Sequence, residues 1–146
     1  MGAARAEHVH EAGASAFLYW WGGSSSTANS GLIRLVGDSY ETSKRFCAIA
    51  AFSRFVRPGA IRVDAGADSS SLGVSAFRNR DGSLATQVIN RATTPTRVRL
   101  PFHGRVTAYT TDATHDLAPA PVRGRWATLP PRSLVTYVVR SHDHQQ

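Results

Sequence analysis

Residues 58 to 140 form a succession of short segments in which apolar side chains alternate with polar or small ones. Such alternation turns one face of a strand toward a core and the other toward solvent. The stretch Asn79-Arg80-Asp81-Gly82-Ser83 is a hairpin-turn signal that joins a strand at Leu72–Arg78 to one at Leu84–Asn90. Ser133–Arg140 is predicted as the last strand. About seven such strands, spaced by roughly 8–12 residues, predict an antiparallel β-sandwich.

The same alternation predicts which side chains face the core of the sandwich. They are apolar residues at every second position of the predicted strands: Ile61, Val63, Val74, Ala76, Val88, Val98, Val106, Val135 and Tyr137.

The chain before residue 58 has a different character. Ala3–Ala12 contains helix formers, and Gly13 ends that helix. Ala16–Trp21 is a continuous apolar run, which is typical of a strand buried on both faces of a parallel sheet. A loop rich in glycine and serine follows over Gly22–Gly31. The pattern therefore predicts a helix, a strand and a loop in this order.

A second helix is predicted over Asp38–Val56, because Asp38 and Glu41 have the spacing of a capping box. The helix must end before Pro58, since proline disfavours a helical conformation in the residue that precedes it. Phe52 and Phe55 are three residues apart and share a helical face. We expect at least one of them to pack on the sandwich and join the two parts of the chain.

Composition excludes several classes of protein. No apolar run of the 146 residues reaches the roughly 18 that span a membrane, so no membrane span is predicted. The net charge is +7, because the chain has 17 basic and 10 acidic residues, and all of the basic residues but Lys44 are arginines. These arginines are scattered along the chain without a recognition motif, so a nucleic-acid partner is not predicted.

Metal and disulfide chemistry have little support. Cys47 is the single cysteine, and its alanine-rich surroundings predict a buried, inert thiol. The pairs His8 with His10 and His142 with His144 lie near the two termini, where we expect them to be solvated. The sequence therefore predicts no metal site and no cofactor.

Catalytic carboxylates are also missing. The chain has three glutamates, and Glu7 and Glu11 lie on one face of the first predicted helix, where a solvated surface is expected. Glu41 is assigned to the helix cap. No residue of this chain is therefore a candidate for catalysis.

Tyr19, Trp20 and Trp21 are the candidate substrate-binding residues. They stand at the carboxyl end of the predicted buried strand, where it opens into the loop, and barrel enzymes place their active sites at that end of their strands. Rings in this position suit a platform for stacking on sugars. The alternative is that they fill a core, and the sequence leaves both interpretations open.

Three stretches carry a resemblance to a known family. Phe52-Ser53-Arg54-Phe55-Val56-Arg57-Pro58-Gly59 resembles the junction at which the last barrel helix of glycoside hydrolase family 30 leads into its β-sandwich side domain. Asp81–Arg91 is similar to a hairpin of that sandwich, and Leu129–Tyr137 to its closing strand. The family contains glucosylceramidases, xylanases, and β-1,6-galactanases or glucanases.

The resemblance implies a fold and a set of roles. Ala16–Trp21 would be the eighth strand of a (β/α)₈ barrel, and Tyr40–Phe55 would be its eighth helix. Trp20 matches the tryptophan that lines the sugar subsite of the family. The family consists of retaining hydrolases whose two catalytic glutamates follow strands four and seven, upstream of anything in this sequence. Its sandwich usually also takes strand material from before the barrel. The resemblance further suggests a secreted or extracellular protein.

The predicted fold class is thus mainly β: an antiparallel sandwich preceded by a helix–strand–helix remnant of a barrel. Residues 1–57 would form the remnant, 58–141 the sandwich and 142–146 a polar tail. We expect the C-terminal part of a retaining glycoside hydrolase for β-linked glycans, inactive by itself, whose polysaccharide or glycoside partner binds through the missing barrel. The alternative is a non-catalytic carbohydrate-binding or interaction module. The glycan and the oligomeric state stay open.

Overall fold

The computed structural model describes residues 13, 16–28 and 30–140. The predicted first helix, both histidine pairs, Glu7 and Glu11 lie outside these residues. Within them the chain forms eleven strands and one helix: β1 (Gly23–Ser24), β2 (Ile33–Val36), β3 (Ser39–Thr42), α1 (Lys44–Ser53), β4 (Ile61–Val63), β5 (Leu72–Arg78), β6 (Leu84–Asn90), β7 (Thr96–Arg99), β8 (Val106–Thr111), β9 (Ala118–Pro121), β10 (Trp126–Leu129) and β11 (Ser133–Val139).

The last eight strands build two antiparallel layers. Six of them form one sheet in the order β4-β5-β6-β11-β8-β9, and β10 and β7 form a two-stranded ribbon that packs over part of it. The predicted hairpin is present: Gly82 has a φ of +78°, and the Asp81 carboxylate accepts hydrogen bonds from the Ser83 amide and hydroxyl. The predicted antiparallel sandwich is therefore confirmed.

Most of the predicted inward positions are correct. Five are buried (Ala76, Val88, Val106, Val135 and Tyr137), and three are half-buried (Val63, Val74 and Val98). The prediction for Ile61 is wrong, because its side chain is 70% exposed. Strand β4 is the edge of the six-stranded sheet, beyond the area that the ribbon covers, so alternation there does not lead to burial.

Helix α1 packs on the opposite face of the six-stranded sheet. It buries Ala48, Ala51 and Phe52 against Ile89 of β6 and Leu134 of β11. The ring of Phe55, just after the helix, stacks on Tyr109 at a centroid distance of 4.4 Å. The prediction that at least one of the two phenylalanines joins the helix to the sandwich is confirmed.

Cys47 lies on the inner side of the same helix and is buried, as predicted. Burial raises the pKa of its thiol, and the negative charge of Asp116 raises it further. A thiol in this state is a poor nucleophile.

Polar side chains of the sheet satisfy the main-chain groups at the end of α1. The Ala51 carbonyl oxygen accepts hydrogen bonds from the Gln87 amide at 3.2 Å and the Thr136 hydroxyl at 3.3 Å. Asn79 binds the segment that follows the helix: its amide donates to the Phe55 carbonyl at 2.8 Å, and its side-chain oxygen accepts from the Arg57 amide at 2.9 Å. The last carbonyls of a helix have no partner within it, so these side chains both satisfy the helix end and fix its position on the sheet.

The loop between β8 and β9 contacts the start of α1. The Lys44 ammonium group forms an ion pair with Asp116 at 2.5 Å and donates to the His115 carbonyl at 3.0 Å. Asp112 holds the loop in shape, because its carboxylate accepts from the amides of Thr114 and His115, each at 2.8 Å. Burial opposes ionisation of Asp112, but these hydrogen bonds outweigh it and lower its pKa to about 2.

This lowered pKa predicts a pH dependence of stability. The folded pKa lies below that of the unfolded chain, so the stabilisation by Asp112 is complete above pH 4 and disappears as the pH falls toward 2. The Asp112 side chain is 9% exposed, and the shift corresponds to about 2 kcal/mol. We expect Asp112→Asn to unfold at lower urea concentration than the parent at pH 6 and at the same concentration near pH 2. An equal gap at both pH values would contradict this role.

The predicted helix over Asp38–Val56 starts too early. Strands β2 and β3 form a hairpin over residues 33–42, with Gly37 in its turn at a φ of +57°. The helix begins at Lys44, and the Ser43 side chain caps it by accepting from the Phe46 amide. The capping box of Asp38 with Glu41 is wrong, because Glu41 faces Arg34 across the hairpin and forms an ion pair with it at 2.6 Å.

The predicted strand at Ala16–Trp21 is absent. The segment belongs to no sheet, and Leu18 and Trp20 are exposed. A parallel strand exists only between neighbours that accept and donate its main-chain hydrogen bonds, and the described residues supply no such neighbours.

Candidate functional site

Trp20 and Trp21 lie at the surface, next to the loop that precedes β2. Trp20 is 83% exposed and Trp21 43%, and both indole rings belong to the exposed apolar surface of this part of the chain. Their ring centroids are 6.4 Å apart, with planes tilted by 48°, and the peptide bond that joins them is cis. The exposed indole of Trp20 has the size and accessibility that stacking on a sugar ring requires, and it fills no core within the described residues.

The backbone hydrogen-bonds the tryptophan pair to the hairpin. The Leu32 amide donates to the Trp21 carbonyl at 3.1 Å, and the Ile33 amide donates to the Gly22 carbonyl at 3.0 Å. The Tyr19 hydroxyl donates to the Ser30 carbonyl at 2.8 Å. Of the three candidate residues, Tyr19 thus has a structural contact of its own, whereas the two tryptophans present their rings at the surface.

A small cavity of about 220 Å³ lies between the loop and the hairpin. Hydroxyl-bearing side chains from both sides line it, together with the Arg34–Glu41 ion pair: Ser24, Ser26, Thr27, Thr42 and Ser43. Two of these hydroxyls already accept hydrogen bonds within the loop, Ser24 from the Ser26 amide and Ser26 from the Ala28 amide. The cavity therefore combines preorganised polar groups with a position close to the tryptophans.

Carboxylates at this site are engaged or remote. Glu41 is held by Arg34, and Asp38 stands in the exposed turn of the hairpin. The absence of a catalytic pair in this chain stays a prediction. In the part of the chain that the structure describes, no three His, Cys, Asp or Glu side chains are grouped as metal ligands, and no helix is long and apolar enough to cross a membrane.

A larger groove of about 830 Å³ opens in the sandwich, where the ribbon leaves part of the six-stranded sheet uncovered. Its floor includes the apolar side chains of Val74, Ala76 and Val88, and one wall is β7. Among the described strands, β7 pairs only with β10, so its other edge is free. The hydroxyl oxygen of Thr86, in the floor, is buried and has no hydrogen-bond partner among the residues that the structure describes. The inner face of the sheet is thus incompletely covered.

The family model of the glycosyl hydrolase family 30 beta sandwich domain matches residues 59–137, which is more than half of the chain. The chain belongs to glycoside hydrolase family 30. The matched residues include both predicted sandwich motifs, the Asp81–Arg91 hairpin and the closing strand at Leu129–Tyr137. The family includes enzymes that act on polysaccharides.

Three relatives extend the similarity beyond the sandwich. Glucuronoxylanase XynC of Bacillus subtilis (strain 168) is 29% identical over 91% of this chain and 33% of its own length. The catalytic domain of GH30 xylanase C from Talaromyces cellulolyticus is 34% identical over 96% of this chain and 34% of that domain, with a TM-score of 0.85. A GH30 endoxylanase from Clostridium papyrosolvens C71 shares the fold, with a TM-score of 0.79 at 24% identity over 96% of this chain and 37% of its own. The chain thus spans about a third of the length of these proteins.

Sequence reasoning missed two features of the structure. Trp126 has no aromatic neighbour in the sequence, so no local pattern marks it, but it is 52% exposed and Arg97 lies over its ring. Asn79 belongs to the predicted hairpin turn, but its side chain also forms hydrogen bonds with the segment after α1. The arginines that alternate along the neighbouring strand are the sequence signal that could have indicated the exposure of Trp126. The role of Asn79 has no local signal, because its partners Arg57 and Phe55 lie 22 and 24 positions away in the sequence.

Proposed function

We propose that this chain is the sandwich-bearing C-terminal part of a family 30 glycoside hydrolase that cleaves a β-linked polysaccharide, with xylan as the first candidate. The observation that carries the proposal is the similarity to xylanase C of Talaromyces cellulolyticus, which continues through the tryptophan loop and α1 as well as the sandwich. The name of the Bacillus subtilis relative points to the same class of substrate. We also propose a domain boundary between residues 57 and 58, with the barrel part before it and the β-sandwich after it.

The sandwich acts as a rigid support in this proposal. Its sheet fixes α1 through Phe52, Gln87 and Thr136, and α1 follows directly on the hairpin that is hydrogen-bonded to Trp21. A binding ring must be held in place to contribute to affinity, because ordering it on binding costs free energy. The substrate-binding role falls to Trp20 and Trp21, with Tyr19 in support of their loop.

The sandwich groove fits the same proposal. A free edge at β7, an apolar floor and the unpartnered Thr86 hydroxyl suit an extended segment that pairs with the edge and covers the floor. In the family resemblance, strand material from before the barrel has this role. We therefore assign the apolar floor of the groove and the free edge of β7 to another segment of the whole protein rather than to a substrate.

The chain by itself should not hydrolyse glycosides. Retaining hydrolysis needs one carboxylic acid to protonate the leaving oxygen and a second carboxylate to attack the sugar carbon. Glu41 is bound to Arg34, and Asp38 stands at the turn of an exposed hairpin, so neither faces a partner acid across a cleft. We expect the 146-residue chain to release no reducing sugar from xylan, β-1,6-galactan or glucosylceramide. Turnover that is lost on replacing Asp38 or Glu41 would contradict the assignment.

A chimera tests the positive part of the proposal. This chain replaces the matching C-terminal third of the Talaromyces cellulolyticus xylanase, and hydrolysis of neutral xylo-oligosaccharides is measured. We expect activity, and we expect Trp20→Ala to raise KM roughly tenfold, the size of one lost ring contact. Ile61→Ala, which changes an exposed apolar side chain at the edge of the sandwich, is the control and should leave KM unchanged. A folded chimera in which Trp20→Ala has no effect would refute the role of Trp20.

We also propose that the whole protein acts outside the cell. Polysaccharides are too large to enter cells, so an enzyme that cleaves them must meet them there. Fractionation of the source organism, with detection by an antibody against the sandwich, tests this; recovery of the protein only from the cytosol would contradict it.

A further inference from the structure

The outer face of the β7–β10 ribbon carries an aromatic ring between basic side chains. In the register of the ribbon, Trp126 pairs with Arg99 and Thr128 with Arg97, whereas Val98 and Ala127 face the core. Side chains alternate along a strand, so Arg97, Arg99 and Trp126 all project to the solvent side. This face lies on the side of the six-stranded sheet opposite α1.

The geometry prepares Arg97 for binding an anion. Its guanidinium carbon lies 4.4 Å from the centroid of the Trp126 ring, which is a cation–π contact. Stacking uses the flat face of the guanidinium group and leaves its N–H donors, which lie in the plane, directed outward. The indole orders the arginine side chain, so less conformational freedom is lost when those donors bind a ligand.

Both arginines lack a carboxylate partner among the described residues. The ion pairs found there lie on other elements, and no hydrogen bond of Arg97 or Arg99 side chains accompanies the cation–π contact. Asp64 and Asp68 line the groove at the free edge of β7, and Arg97, Arg99 and Trp126 border the same groove from the ribbon. None of the ion pairs found among the described residues joins either carboxylate to Arg97 or Arg99. The two guanidinium groups therefore carry their positive charge without a bound carboxylate, beside a half-exposed indole.

We propose that the surface formed by Arg97, Arg99 and Trp126 binds a polysaccharide that carries uronate carboxylates. The apolar face of a sugar ring packs on the indole face that Arg97 leaves open, and the carboxylates accept charge-assisted hydrogen bonds from the guanidinium groups. This inference is independent of the proposed glycosidase, because it concerns binding by the sandwich alone.

A polynucleotide fits this surface less well. Binding to nucleic acid draws on many phosphate contacts and is steeply weakened by salt. Two arginines on one short ribbon supply at most about two such contacts, so the expected salt dependence is shallow. A single exposed indole with two adjacent donors instead suits one acidic sugar and its neighbour.

The test is affinity electrophoresis of the 146-residue chain in gels that contain polygalacturonate, or the same polymer with its carboxyl groups reduced to hydroxyls. We expect retardation by polygalacturonate and little by the reduced polymer. Arg97→Gln should weaken binding roughly tenfold or more, which is the effect of losing one charge-assisted hydrogen bond. Trp126→Ala should have an effect of about the same size, because it removes the stacking surface and the ring that orders Arg97. Arg54→Gln is the matched control, since it removes the same charge from an arginine that stacks on Phe55 and Tyr109 on the other side of the sheet.

The outcomes separate clearly. Equal weakening by Arg54→Gln and Arg97→Gln would show a general charge effect and overturn the proposal. Retardation that is equally strong with the reduced polymer, or with single-stranded DNA, would overturn it as well, as would no retardation by polygalacturonate. If Trp126→Ala lowers the melting temperature, Arg97→Gln and Arg99→Gln decide the matter, because both change exposed side chains on a ribbon whose packed residues remain intact.

Discussion

Replacing Phe52 by alanine is expected to lower the free energy of unfolding by about 3–5 kcal/mol, the usual cost of removing a buried phenylalanine ring. Phe52 is buried between α1 and the sheet, where it packs with Ile89 and Leu134. The sheet cannot close over the cavity, because β6 and β11 are paired along their full length in its centre. Urea unfolding followed by far-UV circular dichroism measures the change.

Phe46→Ala is the matched control. Phe46 belongs to the same helix but is exposed. Its replacement makes the same chemical change in the helix without leaving a cavity in the core. We expect a change below about 1 kcal/mol for Phe46. Similar losses for the two variants would mean that α1 is not docked through Phe52, and the description of the sandwich as a support for the helix would then be wrong.

Asn79→Ala is expected to cost about 2–4 kcal/mol. The side chain makes three hydrogen bonds, to the Arg57 amide, the Phe55 carbonyl and the Ser83 hydroxyl. Asn79 is itself buried, and its loss leaves main-chain groups of the linker without partners; each such group costs about 1–3 kcal/mol. The same urea experiment measures the loss.

The control for Asn79 is Ser83→Ala. It removes one of the three bonds of Asn79 and also the contact of Ser83 with the exposed Asp81, but leaves both bonds to the linker in place. We expect a loss of about 1 kcal/mol. If Asn79→Ala costs no more than Ser83→Ala, the bonds to Phe55 and Arg57 contribute nothing, and the contact of Phe55 with Tyr109 alone would hold the linker.

These two predictions address the same physical point, which is the attachment of α1 to the sandwich. Apolar burial at Phe52 attaches the helix to the sheet, and the hydrogen bonds to Ala51, Phe55 and Arg57 set the position and direction of the helix end. An apolar contact alone allows sliding, whereas directional bonds to main-chain atoms do not. The proposed support of the tryptophan loop depends on this fixed position.

Much of the sandwich could be predicted from the sequence, because its determinants are local. Gly82 adopts a positive φ that favours glycine, and Asp81 bonds to its own neighbour, so the hairpin is encoded within five residues. Alternation sets which face of each strand is apolar, and a shift by one residue would expose the whole set. The closing strand and the motifs that carry the family resemblance could be identified for the same reason, because each is a short continuous stretch of sequence.

The start of α1 was predicted wrongly because two local signals competed. Asp38 with Glu41 has the spacing of a capping box, and Ser43 is also a capping residue. Arg34 decides which signal applies, because it pairs with Glu41 across the hairpin and Glu41 therefore takes no part in a helix cap. Pairing between strands lies outside any pattern read along one segment.

The sequence by itself determined the antiparallel sandwich, its central hairpin and most of its inward residues, because period-two alternation and turn chemistry act over a few residues. The three-residue spacing of Phe52 and Phe55 likewise indicated that at least one of them packs on the sandwich. Only the tertiary structure decided the exposure of Ile61, the hydrogen bonds from Asn79 to the segment after α1, the hairpin before α1 and the contact of Arg97 with Trp126. Each of these depends on which strand lies at an edge or which distant residue supplies a partner. Such relations arise when layers pack against each other, and the periodicity of one segment carries no information about them.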